Sequence, residues 1–339
     1  MERSFRGVVS VCRKGKVLLR RASGFAHLAD RVPNAPDTRF ATASAGKAFV
    51  ATGILKLVSE GRLGLEDELG AMIPMDWEQI DPRITVRQLL THTSGIPDYF
   101  DESVMDEYEA LWTDFPNYRV RRNADLLPLF LHRPMTDPPG RRFQYNNTGY
   151  VVLAMIIEAV TGQPFDAFLK AAVFEPARME RTGYFELDAL PEGCADSYIW
   201  DEARGGYRTN IYSVDAKGTG AGGAFTTAGD VERFWQALFG GRLIPMAYVA
   251  QMSSVQARHG EERYGFGLWI VRAPDGRDVA KFEGCDPGVS FVSTYDPEQG
   301  LSITALSNYC DDVWSARRAL EAECEGMDSG TGFIGNTAI

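Results

Sequence analysis

The spacing of apolar residues divides the chain into strand-like ends around a helical middle. Alternating or β-branched runs predict an N-terminal hairpin at residues 6–12 and 16–21, turning at Lys14-Gly15. Similar runs separated by short turns predict an antiparallel meander towards the other end, at residues 264–271, 279–282, 289–295 and 301–306. Apolar residues at helical spacing predict helices at residues 44–61, 84–90, 150–160, 165–173 and 314–324.

This order of elements predicts an α+β fold. The simplest assembly is one antiparallel sheet made from both ends of the chain, flanked by helices, with a mainly helical domain inserted. The expected bounds are 1–75 and 225–339 for the sheet domain and 76–224 for the mainly helical domain. The active site is expected in the groove between the two, because ligands usually bind in clefts between packed units.

Charge and hydropathy narrow the range of partners. Hydrophobic residues make up 45% of the 339 residues, and the formal net charge is −11. An acidic chain without a basic stripe is not expected to bind nucleic acid. No run approaches the ~20 apolar residues of a membrane helix, and residues 1–6 lack the apolar core of a signal peptide. The chain as given is therefore expected in the cytoplasm, unless a leader preceded it, and no pattern indicates its oligomeric state.

The cysteines and the absent motifs exclude several kinds of site. The five cysteines, at positions 12, 194, 285, 310 and 324, form no paired metal-ligand spacing and are expected to be buried free thiols. The sequence contains no Gly-x-Ser-x-Gly elbow, no His-Glu-x-x-His and no phosphate-binding glycine loop. We therefore expect neither a metal nor a cofactor.

The segment Ser44-Ala45-Gly46-Lys47 has the clearest chemistry. Residues three apart share a helix face, so the Ser44 hydroxyl and the Lys47 amine are expected side by side. A hydroxyl becomes a good nucleophile only when a base takes its proton, and a partly buried lysine with a lowered pKa can be that base. The alternative is a helix-capping Ser44 followed by a surface Lys47, and on this pair alone the alternative is favoured.

Two further segments contribute candidates. Tyr145 would hold and return a proton if the charge of Lys47 lowered its pKa. Asn147 would donate to a substrate carbonyl, or would only cap the helix that follows. In segment 282–288, Gly284 would let the backbone approach a ligand closely at a strand end. An ordinary turn between two strands is the competing interpretation of that segment.

In this order the three segments resemble the motif set of the serine β-lactamase and penicillin-binding-protein superfamily. The similarity is greatest to the branch with Tyr-x-Asn as its second motif, which holds class C β-lactamases, DD-peptidases and many esterases. It extends from residue 5 to residue 324 and includes stretches without catalytic residues: 84–100, 139–161, 179–184 and 222–231. The resemblance implies a β-lactamase/transpeptidase-like fold and a serine hydrolase that acts on a small molecule or a peptide.

The resemblance also implies the catalytic roles. Ser44 would be acylated, and Lys47 and Tyr145 would share the acid and base work. Asn147 would orient the acyl carbonyl, and the backbone N–H groups of Ser44 and Cys285 would hold the oxyanion.

The third segment departs from the family. Phe282 stands where the family usually has Lys or His, Glu283 takes the second position, and Gly284 the third. The usual basic residue helps to bind a substrate carboxylate, which Phe282 cannot do. Glu283, if it faced the groove, would repel an anionic substrate.

Several functions stay open at this point. The leading expectation is cleavage of an amide, either a β-lactam or a D-amino-acid peptide, or of an ester, through an acyl-enzyme. The first alternative is a carboxylesterase with weak or no β-lactamase activity, which Phe282 favours. The second is a penicillin-binding protein that is acylated without turnover. A non-catalytic scaffold is the last, because a fold alone does not guarantee activity.

Overall fold

The computed structural model describes residues 5–328, excluding the side chains of residues 325–328. Residues 1–4 and 329–339, which the predicted sheet domain includes, lie outside the described part. The strands are β1 (Gly7–Arg13), β2 (Lys16–Ser23), β3 (Phe25–His27), β4 (Val32–Pro33), β5 (Phe40–Ala41), β6 (Tyr198–Asp201), β7 (Gly206–Thr209), β8 (Phe225–Thr226), β9 (Ala257–His259), β10 (Glu262–Tyr264), β11 (Trp269–Arg272), β12 (Asp278–Asp286), β13 (Val289–Asp296) and β14 (Leu301–Ser307).

The helices lie mostly between the two sets of long strands. They are α1 (Lys47–Ser59), α2 (Leu69–Met72), α3 (Val86–Leu90), α4 (Leu127–Phe130), α5 (Asn147–Thr161), α6 (Phe165–Leu169), α7 (Glu175–Ala177), α8 (Ala228–Phe239), α9 (Met246–Met252) and α10 (Val313–Asp328). Short 3₁₀ helices span Ala43–Gly46, Tyr108–Trp112, Asn117–Arg119 and Asn123–Leu126, and a π-helical turn spans Lys170–Phe174.

One antiparallel sheet joins both ends of the chain, as predicted. Its strand order is β2-β1-β14-β13-β12-β11-β10-β9, so the N-terminal hairpin pairs with the last strand of the C-terminal meander. The predicted α+β class is confirmed by this sheet and by the helices packed against it. The single strand predicted at 264–271 is two strands, β10 and β11, because a turn closed by the Gly265 N–H donating to the Leu268 carbonyl interrupts it.

Alternation along the strands gives the sheet two apolar faces. Phe282 and Phe291 pack with α1 and α8, whereas Val292 and Ile303 pack with α10. Successive side chains of a strand point to opposite faces, so each strand contributes to both cores. The division into a sheet domain and an inserted domain stays a prediction, and the predicted inserted segment also contains the β6–β7 hairpin.

Local signals explain the two helices that bracket the site. The side chain of Asn146 caps α5 by accepting from the Gly149 N–H at 2.7 Å, and Gly162 ends the helix with φ of 68°. The side chain of Thr85 caps α3 and forms a reciprocal capping box with Gln88. No single helix among residues 5–328 has the length and composition of a membrane span. Only α5 and the Phe165–Ala177 stretch taken together reach that length and composition, and they are bent by 80° relative to each other.

Candidate active site

Ser44 lies in the 3₁₀ turn that leads into α1, at a tightly packed point of the backbone. The residue before it, Ala43, has φ of 47°, which side-chain-bearing residues rarely adopt. The Ala43 carbonyl accepts from the Gly223 N–H at 3.0 Å. A Cβ on Gly222 would lie 2.3 Å from the same oxygen, so glycine is required there. The glycine-rich segment 218–223 thus holds the unusual turn that presents Ser44.

The amine of Lys47 is placed to take the Ser44 proton. Its Nζ lies 3.0 Å from Ser44 Oγ, 2.8 Å from Asn147 Oδ1 and 2.6 Å from the carbonyl oxygen of Ala221. The amide and carbonyl oxygens can only accept, so they take two amine protons. A neutral Lys47 is then left with its lone pair towards Ser44, which is the geometry of a general base. The predicted side-by-side placement is therefore present.

Burial also favours the neutral amine. Lys47 is 2% exposed, and desolvation lowers its pKa from 10.5 to about 8. The negative charges of Glu102, Asp98 and Asp286 act in the opposite direction and raise it. The sequence-based hypothesis of a lysine with a lowered pKa thus has a physical cause in the fold.

Asn147 faces Lys47, and its amide nitrogen is already engaged. Its Nδ2 donates to the Phe100 carbonyl at 3.1 Å and to Asp98 Oδ2 at 3.3 Å, which orients Oδ1 towards Lys47. Its Oδ1 accepts from Lys47 Nζ at 2.8 Å, which orients the amine. Asn147 also lines the cavity at Ser44, and the predicted contact with a substrate carbonyl stays a prediction.

Asp98 is a site residue that the sequence analysis did not single out. The buried carboxylate accepts from the backbone N–H groups of Asn147 and Thr148 at 2.8 and 3.0 Å, at the start of α5. Burial raises its pKa to about 6, against these hydrogen bonds, which lower it. Nothing in a short Ile-Pro-Asp-Tyr stretch distinguishes such a residue from a loop aspartate.

Tyr145 lies beside the base, but its pKa moves opposite to the expectation. Its ring centroid is 4.9 Å from Lys47 Nζ, and its ring stacks on Trp269 at 5.8 Å. Burial raises the pKa of Tyr145 well above 10, while an interaction with the Ser44 side chain works the other way. The expected lowering by Lys47 does not occur, because desolvation is the largest effect on this phenol and raises its pKa. Tyr145 is therefore a protonated phenol at rest and can donate or relay a proton.

The ring of His92 packs against the ring of Tyr145. Its ring centroid is 4.6 Å from that of Tyr145, and its Nδ1 accepts from the Asn146 N–H at 3.1 Å. Burial lowers the pKa of His92 well below its ordinary value, so the ring is neutral and its proton is on Nε2. His92 is a further residue of the site that no sequence motif singled out.

β12 brings the third segment against the serine. A Cβ on Gly284 would lie 2.4 Å from the Thr42 carbonyl oxygen and 2.6 Å from the Ser44 nitrogen. The absence of a side chain at Gly284 is therefore what lets the strand approach Ser44.

The strand register orients the next amide. Asp286 and Val289 close a two-residue turn, and Cys285 opposes Ser290. Opposed pairs alternate between hydrogen-bonded and non-hydrogen-bonded, so the Cys285 N–H points away from β13. β11 begins at Trp269, opposite Lys281, and does not reach Cys285. The Cys285 N–H is therefore directed away from β13, at a residue that lines the same cavity as Ser44, and its role as an oxyanion donor stays a prediction.

Phe282 and Glu283 require a correction. Phe282 is 2% exposed and packs against the aromatic rings of α1, α8 and β13, so it cannot contact a substrate. Glu283, on the other face, accepts from Trp314 Nε1 at 2.7 Å and pairs with Lys281. Neither residue lines the cavity at Ser44, because the strand end leaves the core only after Gly284.

An acidic cavity of about 630 Å³ opens at Ser44. Its described lining has no Lys, Arg or His but six carboxylates: Glu102, Asp106, Glu107, Glu109, Asp215 and Asp286. Burial raises the pKa of Asp215 to about 7 and, together with the Asp215 charge, that of Asp286 to about 8. Among residues 5–328 no three His, Cys, Asp or Glu side chains are grouped to hold a metal ion.

Several known proteins are similar to this chain in fold and in sequence. Penicillin-binding protein 4* of Bacillus subtilis (strain 168) is 30% identical over 334 residues, covering 94% of this chain and 71% of that protein. A penicillin binding protein from Bacillus halodurans superposes with a TM-score of 0.88 and 38% identity, covering 94% and 96% of the two chains. The D-amino acid amidase from Ochrobactrum anthropi SV3, complexed with L-phenylalanine amide, superposes with a TM-score of 0.79 and 26% identity, covering 95% of each chain.

The family model agrees with these likenesses and with the resemblance inferred from the three motifs. The model described as Beta-lactamase matches residues 1–323, nearly the whole chain. On this match and on the 30% identical relative, the chain belongs to the Beta-lactamase family.

Proposed function

We propose that this protein hydrolyses an amide or an ester through an acyl-enzyme on Ser44. The observation that carries the proposal is the Lys47 amine, 3.0 Å from Ser44 Oγ, with its other two partners able only to accept. Burying the Lys47 amine in this way removes its solvation, which is unfavourable. A lysine with a purely structural role would have no need of such a buried position. The wider family membership supports the same chemistry.

Acylation follows from these positions. Lys47 takes the Ser44 proton as Oγ attacks the carbonyl carbon, and the N–H groups of Ser44 and Cys285 stabilise the oxyanion. Loss of one such donor typically costs ~2.7–4 kcal/mol. Tyr145 gives its proton to the leaving nitrogen or oxygen and regains one from Lys47. The same groups then activate the water that releases the acid and restores Ser44.

The charge of the cavity bears on the choice of substrate. We propose that neutral or amine-bearing substrates are preferred to carboxylate-bearing β-lactams. Six acidic side chains line the cavity and no described Lys, Arg or His does. Glu109 pairs with Arg208, and Asp215 and Asp286 ionise as the pH rises past about 7 and 8, so the repulsion of an anionic group and the attraction of a cation grow with pH. The similar D-amino acid amidase was crystallised with phenylalanine and with phenylalanine amide, and both ligands carry an amine. A carboxylesterase and an amidase of this preference are thus both favoured over a β-lactamase.

Labelling with a fluorophosphonate tests the acyl-enzyme. Intact mass should show one adduct, which Ser44→Ala abolishes. An adduct that survives this change would refute the assignment of the nucleophile. A chromogenic ester then separates a turning-over enzyme from a trap, because only turnover gives a steady phase after the burst.

Three acyl compounds test the charge preference: an amino-acid amide with a free amine, its N-acetyl form and its N-succinyl form. We expect kcat/KM to fall in that order. Asp286→Asn should shrink the advantage of the free amine by ~5-fold or more, as for an interaction of about 1 kcal/mol. The control Glu261→Gln makes the same change in net charge at an exposed turn outside the cavity. An equal effect of both variants would contradict a local role for Asp286.

A further inference from the structure

Two cysteines lie together on the rim of the catalytic cavity. Cys285 is the second-last residue of β12, and Cys310 follows β14 in the segment that leads to α10. Their sulfur atoms are 3.7 Å apart, both residues are exposed, and both line the cavity that contains Ser44. The expectation of buried thiols is wrong for this pair and right for the other three cysteines: Cys12, Cys194 and Cys324.

The backbone holds the two sulfur atoms in reach of each other. A disulfide needs an S–S distance of about 2.05 Å, so the atoms must approach by about 1.7 Å. Both side chains are exposed, which leaves them free to rotate about χ1. Cys310 has φ of 56°, an uncommon conformation for a residue with a side chain, and it turns this segment back across the end of β13.

The neighbour of Cys310 is held from several sides. The Asp311 carboxylate pairs with Arg6 at 2.6 Å, its carbonyl accepts from Ser290 Oγ at 2.6 Å, and its N–H donates to Ser307 Oγ at 3.3 Å. This anchoring keeps Cys310 beside Cys285 instead of leaving it on a free loop. Two groups fixed in this way react with a high effective concentration.

We propose that Cys285 and Cys310 form a reversible disulfide, and that this modification slows the hydrolase. The cross-link itself is independent of the proposed function, whereas the change in rate rests on it. The link to rate is the backbone N–H of Cys285, which is the predicted oxyanion donor. Tying Cys285 to the segment after β14 shifts this donor, and misplacements of ~1 Å can cost ~10²-fold in rate.

The reaction balances with a small-molecule disulfide as the oxidant. The Cys310 thiolate attacks one sulfur of the oxidant, forms a mixed disulfide and releases one small thiol. Cys285 then loses its proton and attacks Cys310 Sγ, releasing the second small thiol. Two protein thiols are oxidised to one disulfide and one small disulfide is reduced to two thiols. In support, the hydrogen bond from the Cys285 thiol lowers the pKa of Cys310 to about 7, so Cys310 is the first nucleophile.

Glutathione disulfide provides the test on the full-length, reduced protein. We expect intact mass to fall by two hydrogen atoms, a peptide map to show Cys285 joined to Cys310, and dithiothreitol to reverse both. The rate on a neutral ester should fall by ~10-fold or more in proportion to the cross-linked fraction and recover on reduction. Cys310→Ser should form no cross-link, while Cys194→Ser should behave as the wild type.

The outcomes separate the two parts of the proposal. Mixed disulfides on single cysteines at every glutathione ratio, without the joined peptide, would overturn the modification site. A complete cross-link with an unchanged rate would overturn the effect on activity. Mass detects the cross-link whether or not the protein hydrolyses the ester, so failure of the proposed function is recognised separately.

Discussion

The pH dependence of acylation distinguishes Lys47 from Tyr145 as the base. With the pKa of Lys47 lowered to about 8 by burial, about a tenth of the enzyme has a neutral amine at pH 7. At the ordinary value of 10.5 this fraction would be ~300-fold smaller. The difference corresponds to about 3 kcal/mol against the protonated amine. If Lys47 is the base, as proposed, burial favours its reactive neutral form by this free energy.

We therefore expect kcat/KM for a neutral ester to rise about tenfold per pH unit and to level off above a midpoint near 8. kcat/KM reports the free enzyme and acylation, so slow deacylation does not distort it. If Tyr145 were the resting base, its pKa, raised well above 10 by burial, would keep the rate rising through pH 10. A profile without a plateau below about pH 10 would refute Lys47 as the base.

Charge variants give the sign of the same effect. Glu102 raises the pKa of Lys47, so Glu102→Gln should move the midpoint to lower pH. The shift should be a few tenths of a pH unit, because the Glu102 side chain is exposed and screened. Glu261→Gln, with the same change in net charge, should leave the midpoint in place. A shift to higher pH in Glu102→Gln would contradict the electrostatic reasoning.

The titration of the two acidic residues in the cavity must be distinguished from that of Lys47. Asp215 and Asp286 have pKa values raised to about 7 and about 8, within the same pH range. Both act on charged substrates most strongly, which is why the ester has to be neutral. Asp286→Asn should keep the rising limb, with a slightly lower midpoint because Asp286 also raises the pKa of Lys47. If this variant lost the rising limb of the pH profile, the limb would have to come from titration of the carboxylates.

Four further predictions concern buried residues in and near the site. Lys47→Met and Tyr145→Phe should each lose ~10²–10⁴-fold in kcat/KM, with the double variant little worse than the worse single, since both serve one proton transfer. In thermal unfolding Lys47→Met should also lose the gain in stability that the wild type shows from pH 8 to 10.5, where only the unfolded chain still binds the Lys47 proton. Gly284→Ala should cut ester turnover by ~10²-fold with the fold retained by circular dichroism, because its Cβ would lie 2.6 Å from the Ser44 nitrogen. Phe282→Lys should lower the free energy of unfolding by about 3–5 kcal/mol in urea titration without raising cephalosporin turnover, and a gain in that turnover would contradict its core position.

Features that depend on neighbours in the sequence were predictable. Ser44 and Lys47 are three residues apart at a helix start, and helical geometry alone brings them together. The Thr85 cap follows from the same kind of local rule. The strands at both ends could be located by alternation, and one sheet was the simplest way to bury their apolar faces.

Features that depend on distant partners were not predictable in this way. Asp98 acts through the first amides of α5, 49 and 50 positions further along the chain. The pKa of Tyr145 depends on how deeply His92 and Trp269 bury it, and no spacing rule gives that depth. Cys310 meets Cys285 only because β14 and β12 flank the same strand. Each of these depends on the completed fold.

The position of Phe282 supports the proposed preference for substrates without a carboxylate. A basic side chain at this position would have to leave the aromatic core that Phe282 fills with Phe49, Phe234 and Trp235. Burying a charge there without a partner is costly, so the core excludes it. Independently, the cavity beyond Gly284 has an acidic lining, with no described cation to replace the missing one. If the proposed function holds, a substrate carboxylate would lack a partner and meet like charge, and both effects would disfavour the anionic β-lactams relative to neutral and amine-bearing acyl compounds.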